Sequence, residues 1–337
     1  MNFQDLLELV ANVQKTNIKL YLIVRNFKEG IKRNTPVLDK FLFTAYQVDI
    51  DSEIRDHFLQ LTKEQLTKQV DNEVELHEYD VITDDTQRAF TYAMKNKALS
   101  FSDVVINQLK AGTPKIKSLE EISDLGELWA YCVSLALDPD DHIYTFRKIS
   151  PGKVAVDAEE NPQKNKYLRS IQAQFNTNSK KLEIIHGELI HLDKYIDCIY
   201  YRKVFYVIQK THFELIVGMS EEFKATSDKF VDELEASKKF EGLDLLRTQI
   251  NEKPTIHRKL SRLAKLENHR NITPAAIANM QKAAKLENKV LKIKNGKFQI
   301  EDDDDIDLLI KMLAEFYKEG MVFGKKYGTF SGKVVSE

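Results

Sequence analysis

Apolar positions along the chain change period more than once. Ile18 to Phe27 (IKLYLIVRNF) and Phe41 to Val48 (FLFTAYQV) are dense in β-branched and aromatic residues, and they predict two strands joined through the turn-like KRNTP. Ile54, Phe58, Leu61 and Leu66 then recur at helical spacing behind Asp51-Ser52, so the chain from Asp51 to Val70 reads as a helix. Thr86 to Leu109 reads as two further helical pieces. From Leu128 the strand pattern dominates. LWAYCVSLAL, the turn Asp138-Pro139-Asp140-Asp141 and HIYTFRKI predict a hairpin; Lys181 to Leu192 and Tyr195 to Gln209 continue the sheet, with IDCIYY and KVFYVI parted at Arg202.

Beyond the strands, Thr211 reads as the cap of a short helix, and Ser220 to Phe240 as a longer one carrying Phe223, Phe230, Val231 and Leu234. The remainder reads as helical, apart from a strand pair at Val290 to Ile300 turning at Asn295-Gly296. The periods therefore predict an α+β fold. A mixed, largely antiparallel sheet with flanking helices fills the N-terminal two thirds, and a mostly helical C-terminal region follows. The expected domains are 1–125, an N-terminal α/β domain, and 126–337, with antiparallel strands in 128–210, helices in 211–337 and basic helices in 255–291.

Composition changes this picture little. The chain has 337 residues with 42% hydrophobic and 30% charged positions, and its 12 Gly and 7 Pro leave little room for disordered linkers. Apolar runs such as Trp129 to Leu137 are shorter than the roughly 18 residues of a membrane span. Asp5 and Glu8 interrupt the first apolar run, unlike a secretory leader, so a cytoplasmic chain is expected. Cys132 and Cys198 are too few for a zinc framework of their own and read as buried thiols.

Charge changes the picture more. From Lys253 to Lys297 the chain holds twelve Lys and Arg against two Glu, a net of +10, which leaves −12 for the rest of a chain of net −2. Such asymmetry points to a polyanion or to an acidic partner surface; a solvated helical face is the plain alternative. With Ile256 at zero and about 100° per residue, Leu260, Leu263, Ala264 and Leu266 stay within about 80° of it. Arg258, Arg262, Lys265 and His269 fall opposite, between about 180° and 240°. Thr273-Pro274 predicts a helix restart, an N-cap followed by proline at the first helical position. On this second helix Lys282, Lys285 and Lys289 cluster. AKLEN occurs at Ala264 to Asn268 and again at Ala284 to Asn288, and the same offset of twenty aligns the two basic stripes. Such rows can follow successive phosphates, so Arg258, Lys259, Arg262, Lys265, Arg270, Lys282, Lys285, Lys289 and Lys292 are the candidate DNA contacts. Without nearby exposed aromatics, backbone contact is favoured over base stacking.

Catalytic patterns are weaker. DCIYYRKVFYVIQK, from Asp197 to Lys210, resembles a metal-dependent nuclease core, but Ile208 stands where the second acid is required. His186 and His191, near Glu188, Asp193 and Asp197, lie on opposite faces of a strand, which argues against a shared metal. EDDDDID, at Glu301 to Asp307, fits the start of a helix better than a cation site. No phosphate-cradling glycine loop or nucleophile elbow occurs. No catalytic residue and no cofactor are assigned.

The order of features from the sheet onwards does carry a resemblance. HLDKYIDCIYYRKVFYVIQKTHFELIVGM, then IHRKLSRLAK, then DDIDLLIKMLAEFYKEGMVFGKKYG resembles the domain of the KwaB family of Kiwa anti-phage defence, over about Leu128 to Gly328. The resemblance implies a bacterial immunity protein that binds DNA, forms a homodimer and works with KwaA, a membrane protein that would recruit it to the inner membrane. The function expected is sequence-independent binding of duplex DNA that obstructs phage replication or expression. An interaction module for an acidic partner and a cryptic metal-dependent nuclease are the alternatives.

Overall fold

A computed structural model of the chain describes residues 1–31, 40–82, 88–94, 101–110, 114–115, 127–149, 154–155, 173–176, 181–184, 189–190, 192–319 and 325–329. The chain divides into two compact units. One is built from Met1–Ile31, Lys40–His77 and Arg88–Val217, the other mainly from Gly218–Glu337, together with Lys32–Asp39 and Glu78–Gln87.

The first unit is a sheet with helices on it. Helix α1 (Phe3–Ala11) starts at a reciprocal cap: Asp5 N–H donates to the Asn2 side chain, and Asn2 N–H donates to the Asp5 carboxylate. Strands β1 (Ile18–Phe27) and β2 (Phe41–Val48) pair antiparallel as the sequence predicts, with Leu20 opposite Val48. Helix α2 (Ser52–Asp71) is capped by Asp51. Next come β3 (Leu76–Glu78), β4 (Ala89–Ala93), β5 (Glu127–Asp138), β6 (Asp141–Lys148), β7 (Val154–Ala155), β8 (Ala173–Asn176), β9 (Lys181–Ile184), β10 (Leu189–Ile190), β11 (Cys198–Tyr201) and β12 (Val204–Val207). Helix α3 (Lys210–Ile216) closes the unit. Eight strands form one sheet in the order β2-β1-β5-β6-β11-β12-β4-β3, and the pairings from β2 to β4 are antiparallel.

Both faces of the central strands are buried. Leu20, Leu22, Val133, Leu135 and Ile143 meet Leu6, Val10, Phe58, Leu61 and Leu66 of α1 and α2 on one face. On the other lie Cys132, Phe146, Cys198 and Phe205, with Phe101 edge-on to Phe146 and Phe213 of α3 against Phe205. Both thiols are buried as expected, and burial pushes them above their usual range. The free edge of β2 is closed by a side chain. Gln108 accepts from Ala45 N–H and donates to Phe43 C=O, while Gln47 N–H donates to Pro114 C=O.

Two sequence expectations need correction here. Residues 89–93 form a strand, not part of a helix, because β12 has an open edge and Tyr92 and Thr91 pair with Phe205 and Tyr206. Helix α3 starts at Lys210 with Gln209 in the cap position, two residues before the expected cap at Thr211. Ile208 and Gln209 N–H groups both donate to Asp197 C=O, which fixes the turn two residues earlier.

The second unit is mostly helical. It runs through α4 (Met219–Ala236), β13 (Phe240–Glu241), α5 (Leu243–Glu252), α6 (Thr255–Leu266), α7 (Pro274–Ala284), β14 (Ile293–Lys294), β15 (Lys297–Gln299), α8 (Asp303–Leu313), β16 (Tyr317–Glu319) and β17 (Lys326–Gly328). Its core joins Phe230 and Leu234 of α4 to Leu260 and Leu263 of α6, Phe298 of β15, and Leu309 and Leu313 of α8. Gly242 cannot be replaced: its φ is +83°, and a Cβ there would lie 2.0 Å from Ile300 O. The predicted Asn295-Gly296 turn joins β14 to β15, both residues at positive φ. The β16–β17 hairpin lies where the sequence had suggested only helix. Among the described residues, no helix is long and apolar enough to cross a membrane.

Candidate functional site

The basic segment forms two helices and their connections. Helix α6 ends where Glu267 turns to a φ of +57°, a short 3-10 turn spans Asn268–Asn271, and α7 starts at the predicted cap. Thr273 Oγ1 accepts from Ala276 N–H at 3.1 Å, with Pro274 in the first turn. Ile256, Leu260 and Leu263 are buried as the angles predicted.

The stripe opposite them is not wholly in solvent. Lys259 and Lys265 are exposed and Arg258 is half-buried. Arg262, however, is only 7% exposed and His269 only 3%. The reason is a second packing partner: α4 lies along α6, with Ser261 Oγ donating to Phe223 C=O at 3.0 Å and Ser227 Oγ donating to His257 C=O at 3.1 Å. Helical angles find one buried face; α6 has two. His269 is turned in against the Phe230 ring edge, its Nε2 2.9 Å from Glu233 Oε2.

Other candidates are already paired. Arg270 meets Glu233 at 2.9 Å and Glu267 at 2.6 Å. Hydrogen bonds from His269 first, and from Arg270, hold the Glu233 carboxyl below its usual range. Lys289 contacts Asp304 at 3.0 Å, and Lys292 contacts Asp305 at 2.8 Å, Glu301 at 3.0 Å and Asp302 at 3.4 Å. The Asp305 and Glu301 hydrogen bonds hold the Lys292 ammonium above its usual value. Lys253, which the sequence reading did not single out, meets Asp303 at 2.7 Å. Lys265, Lys282 and Lys285 are exposed and carry no ion pair among the described residues.

The acidic run behaves as a helix start. Asp302 caps α8 by accepting from Asp305 N–H at 2.8 Å, and Asp303, Asp304 and Asp305 fill the first turn. Among the described residues, no group of three or more His, Cys, Asp or Glu is placed to hold a metal ion. His186, Glu188 and His191 lie outside the described residues.

The first unit holds a second charged arrangement. Asp197, on the segment entering β11, is fully buried. Its Oδ1 accepts from Arg147 at 2.5 Å and lies 2.8 Å from His212 Nδ1; its Oδ2 accepts from Lys148 N–H at 2.6 Å. Arg147 also donates two 2.7 Å bonds to Asp193. Burial works against the guanidinium charge, yet Asp193 and Asp197 hold Arg147 above its usual value. In the sequence Asp197 stood out as the first acid of the nuclease-like pattern, and Asp193 as an acid near His186 and His191; Arg147 and His212 did not stand out. The signal available was a pair of cations closing a strand rich in β-branched and aromatic residues, HIYTFRK. Lys210, the other residue of the nuclease-like pattern, lies with its ammonium 5.0 Å from the centre of the Phe90 ring.

No curated protein and no solved structure matches the chain. Residues 125–321, from just before β5 through β16, match the family model described as Kiwa protein KwaB-like. This stretch is more than half of the 337 residues and contains both the Asp197 network and the basic helices, so the chain belongs to the Kiwa KwaB-like family of anti-phage defence proteins.

Proposed function

We propose that the chain acts in anti-phage defence by binding duplex DNA through its phosphate backbone, largely independently of sequence, and obstructing phage replication or expression without catalysis. The observation that carries this reading is the trio Lys265, Lys282 and Lys285, exposed on the basic segment with no ion pair among the described residues. Arg258 and Lys259 extend the surface along α6. Arg270, Lys289 and Lys292 reach phosphate only by leaving their carboxylates, and Arg262 supports α6 from within. Each lysine that meets a phosphate releases counterions, so affinity falls steeply with salt. We further propose a homodimer, recruited to the inner membrane by KwaA, in which 1–125 and 126–337 are the two sequence modules.

A salt series with labelled duplexes of unrelated sequence tests this. Comparable affinities across sequences are expected, and the Lys265→Glu, Lys282→Glu, Lys285→Glu triple variant should flatten log K against log salt by about three units. A triple variant that binds like the unmodified chain overturns the reading.

A second reading is favoured by the Arg270, Lys289 and Lys292 pairs: the segment already grips carboxylates, so it suits an acidic protein surface. Absence of any duplex shift at low salt, together with retention on a polyglutamate column, would favour it. Plasmid cut in Mg²⁺ or Mn²⁺, and left whole by an Asp197→Ala variant that thermal unfolding shows to be folded, would favour the nuclease instead.

A further inference from the structure

The carboxylates of Glu301 to Asp305 are joined in space to lysines of the basic segment on both sides of α7. Lys253 meets Asp303, Lys289 meets Asp304, and Lys292 meets Glu301, Asp302 and Asp305, all between 2.7 and 3.4 Å. The run is held in place by α8, whose first turn it forms, and Gln249 anchors Asp303 by a further hydrogen bond. It therefore presents closely spaced oxyanions to three lysines of the segment from a fixed position.

Most of these groups remain in contact with water. Asp304 is 84% exposed and its partner Lys289 32%, so the pairs are of the weak, screened kind that another anion displaces. A lysine released to a phosphate leaves behind an unpaired carboxylate facing the same polyanion, which opposes binding further.

We infer that Glu301–Asp305 is a built-in competitor for the DNA surface, an intramolecular oxyanion set that occupies Lys253, Lys289 and Lys292 and lowers polyanion affinity until it is displaced. The inference rests on the DNA reading given above. It assigns the acidic run a regulatory part besides its place at the start of α8. Asp302 must be kept in any test because it caps that helix, and Asp305 because its carboxylate accepts from Glu301 N–H.

The experiment uses the full chain and labelled duplex DNA over a salt series. Asp303→Asn with Asp304→Asn frees Lys253 and Lys289, so binding at low salt should tighten by about tenfold and the log–log slope steepen by about two. Asp304→Asn alone, a change at a solvent-facing position, should give about one, and thermal unfolding shows that each variant is folded. The contact itself is tested by adding Lys289→Gln. The gain from Asp304→Asn must vanish in that background. If it persists there, the effect is one of net charge and the inference fails. If the unmodified chain binds DNA and both Asn variants bind with its affinity and slope, the inference also fails while the DNA reading stands. If no form binds duplex at low salt, the DNA reading itself fails and takes the inference with it.

Discussion

Asp197 gives up all contact with water, and its carboxylate is matched instead by Arg147, His212 and the Lys148 N–H. A carboxylate so placed is stable only while each oxygen is satisfied. Removing it leaves Arg147, whose side chain is itself nearly buried, with Asp193 as its remaining carboxylate partner. Asp197→Ala should therefore destabilise the first unit by about 3 kcal/mol. Trp129 is the chain's single tryptophan and lies in that unit, its indole N–H 3.2 Å from Leu215 C=O, so its fluorescence reports the relevant transition. A urea midpoint unchanged by Asp197→Ala would show that the network contributes nothing to folding. The sequence showed Asp197 but not its burial. Arg147 approaches it from 50 positions away through the pairing of β6 with β11, and His212 from 15 positions away on α3, whose start is tied to Asp197 C=O by the Ile208 and Gln209 N–H groups.

At the scale of elements, local chemistry was legible wherever it was decisive. The β1–β2 and β5–β6 pairs, the Asn295-Gly296 turn and the Thr273-Pro274 start of α7 all follow from residues within a few positions of each other. What was not legible depended on a distant neighbour. Arg262 and His269 sit on the polar side of their helical angles, but α4 covers that side; Ala89 to Ala93 becomes a strand because β12 needs a partner. The β2 edge shows the same dependence in a single side chain. Gln108 satisfies Ala45 N–H and Phe43 C=O and is itself held by Asp103 at 2.7 Å. Gln108→Ala should cost about 2 kcal/mol and reopen a pairing edge. Light scattering at rising protein concentration should then detect self-association; a variant as monodisperse as the parent would show that Gln108 does not guard the edge.

Across the whole molecule, the carboxyls that hydrogen bonds hold low lie mostly in the second unit, among the described residues. In Gly218–Glu337, Glu233, Glu241, Glu287, Asp302 and Asp303 are all held below their ordinary carboxyl values. The first cause is a hydrogen bond in every case: from His269, Lys297, Lys311, the Asp305 backbone and Lys253 respectively. In the first unit Asp103 is so held, by Gln108. A carboxyl with a lowered folded-state pKa stabilises the fold above its unfolded value, and that contribution is lost as pH falls through the folded value. The window therefore opens near the ordinary values of 4.5 for Glu and 3.8 for Asp and extends downward. The second unit should lose stability faster than the first on acidification through this range. Trp129 fluorescence follows the first unit, while the far-ultraviolet helical signal is weighted towards the second. In an acid titration at low salt the helical signal should collapse at the higher pH. Because these pairs are exposed, added salt should narrow the gap between the two midpoints. Coincident midpoints at all salt concentrations would mean that the pairs which hold the basic segment to its own carboxylates contribute nothing to folding. The surface lysines would then be as free to leave them as the isolated trio Lys265, Lys282 and Lys285.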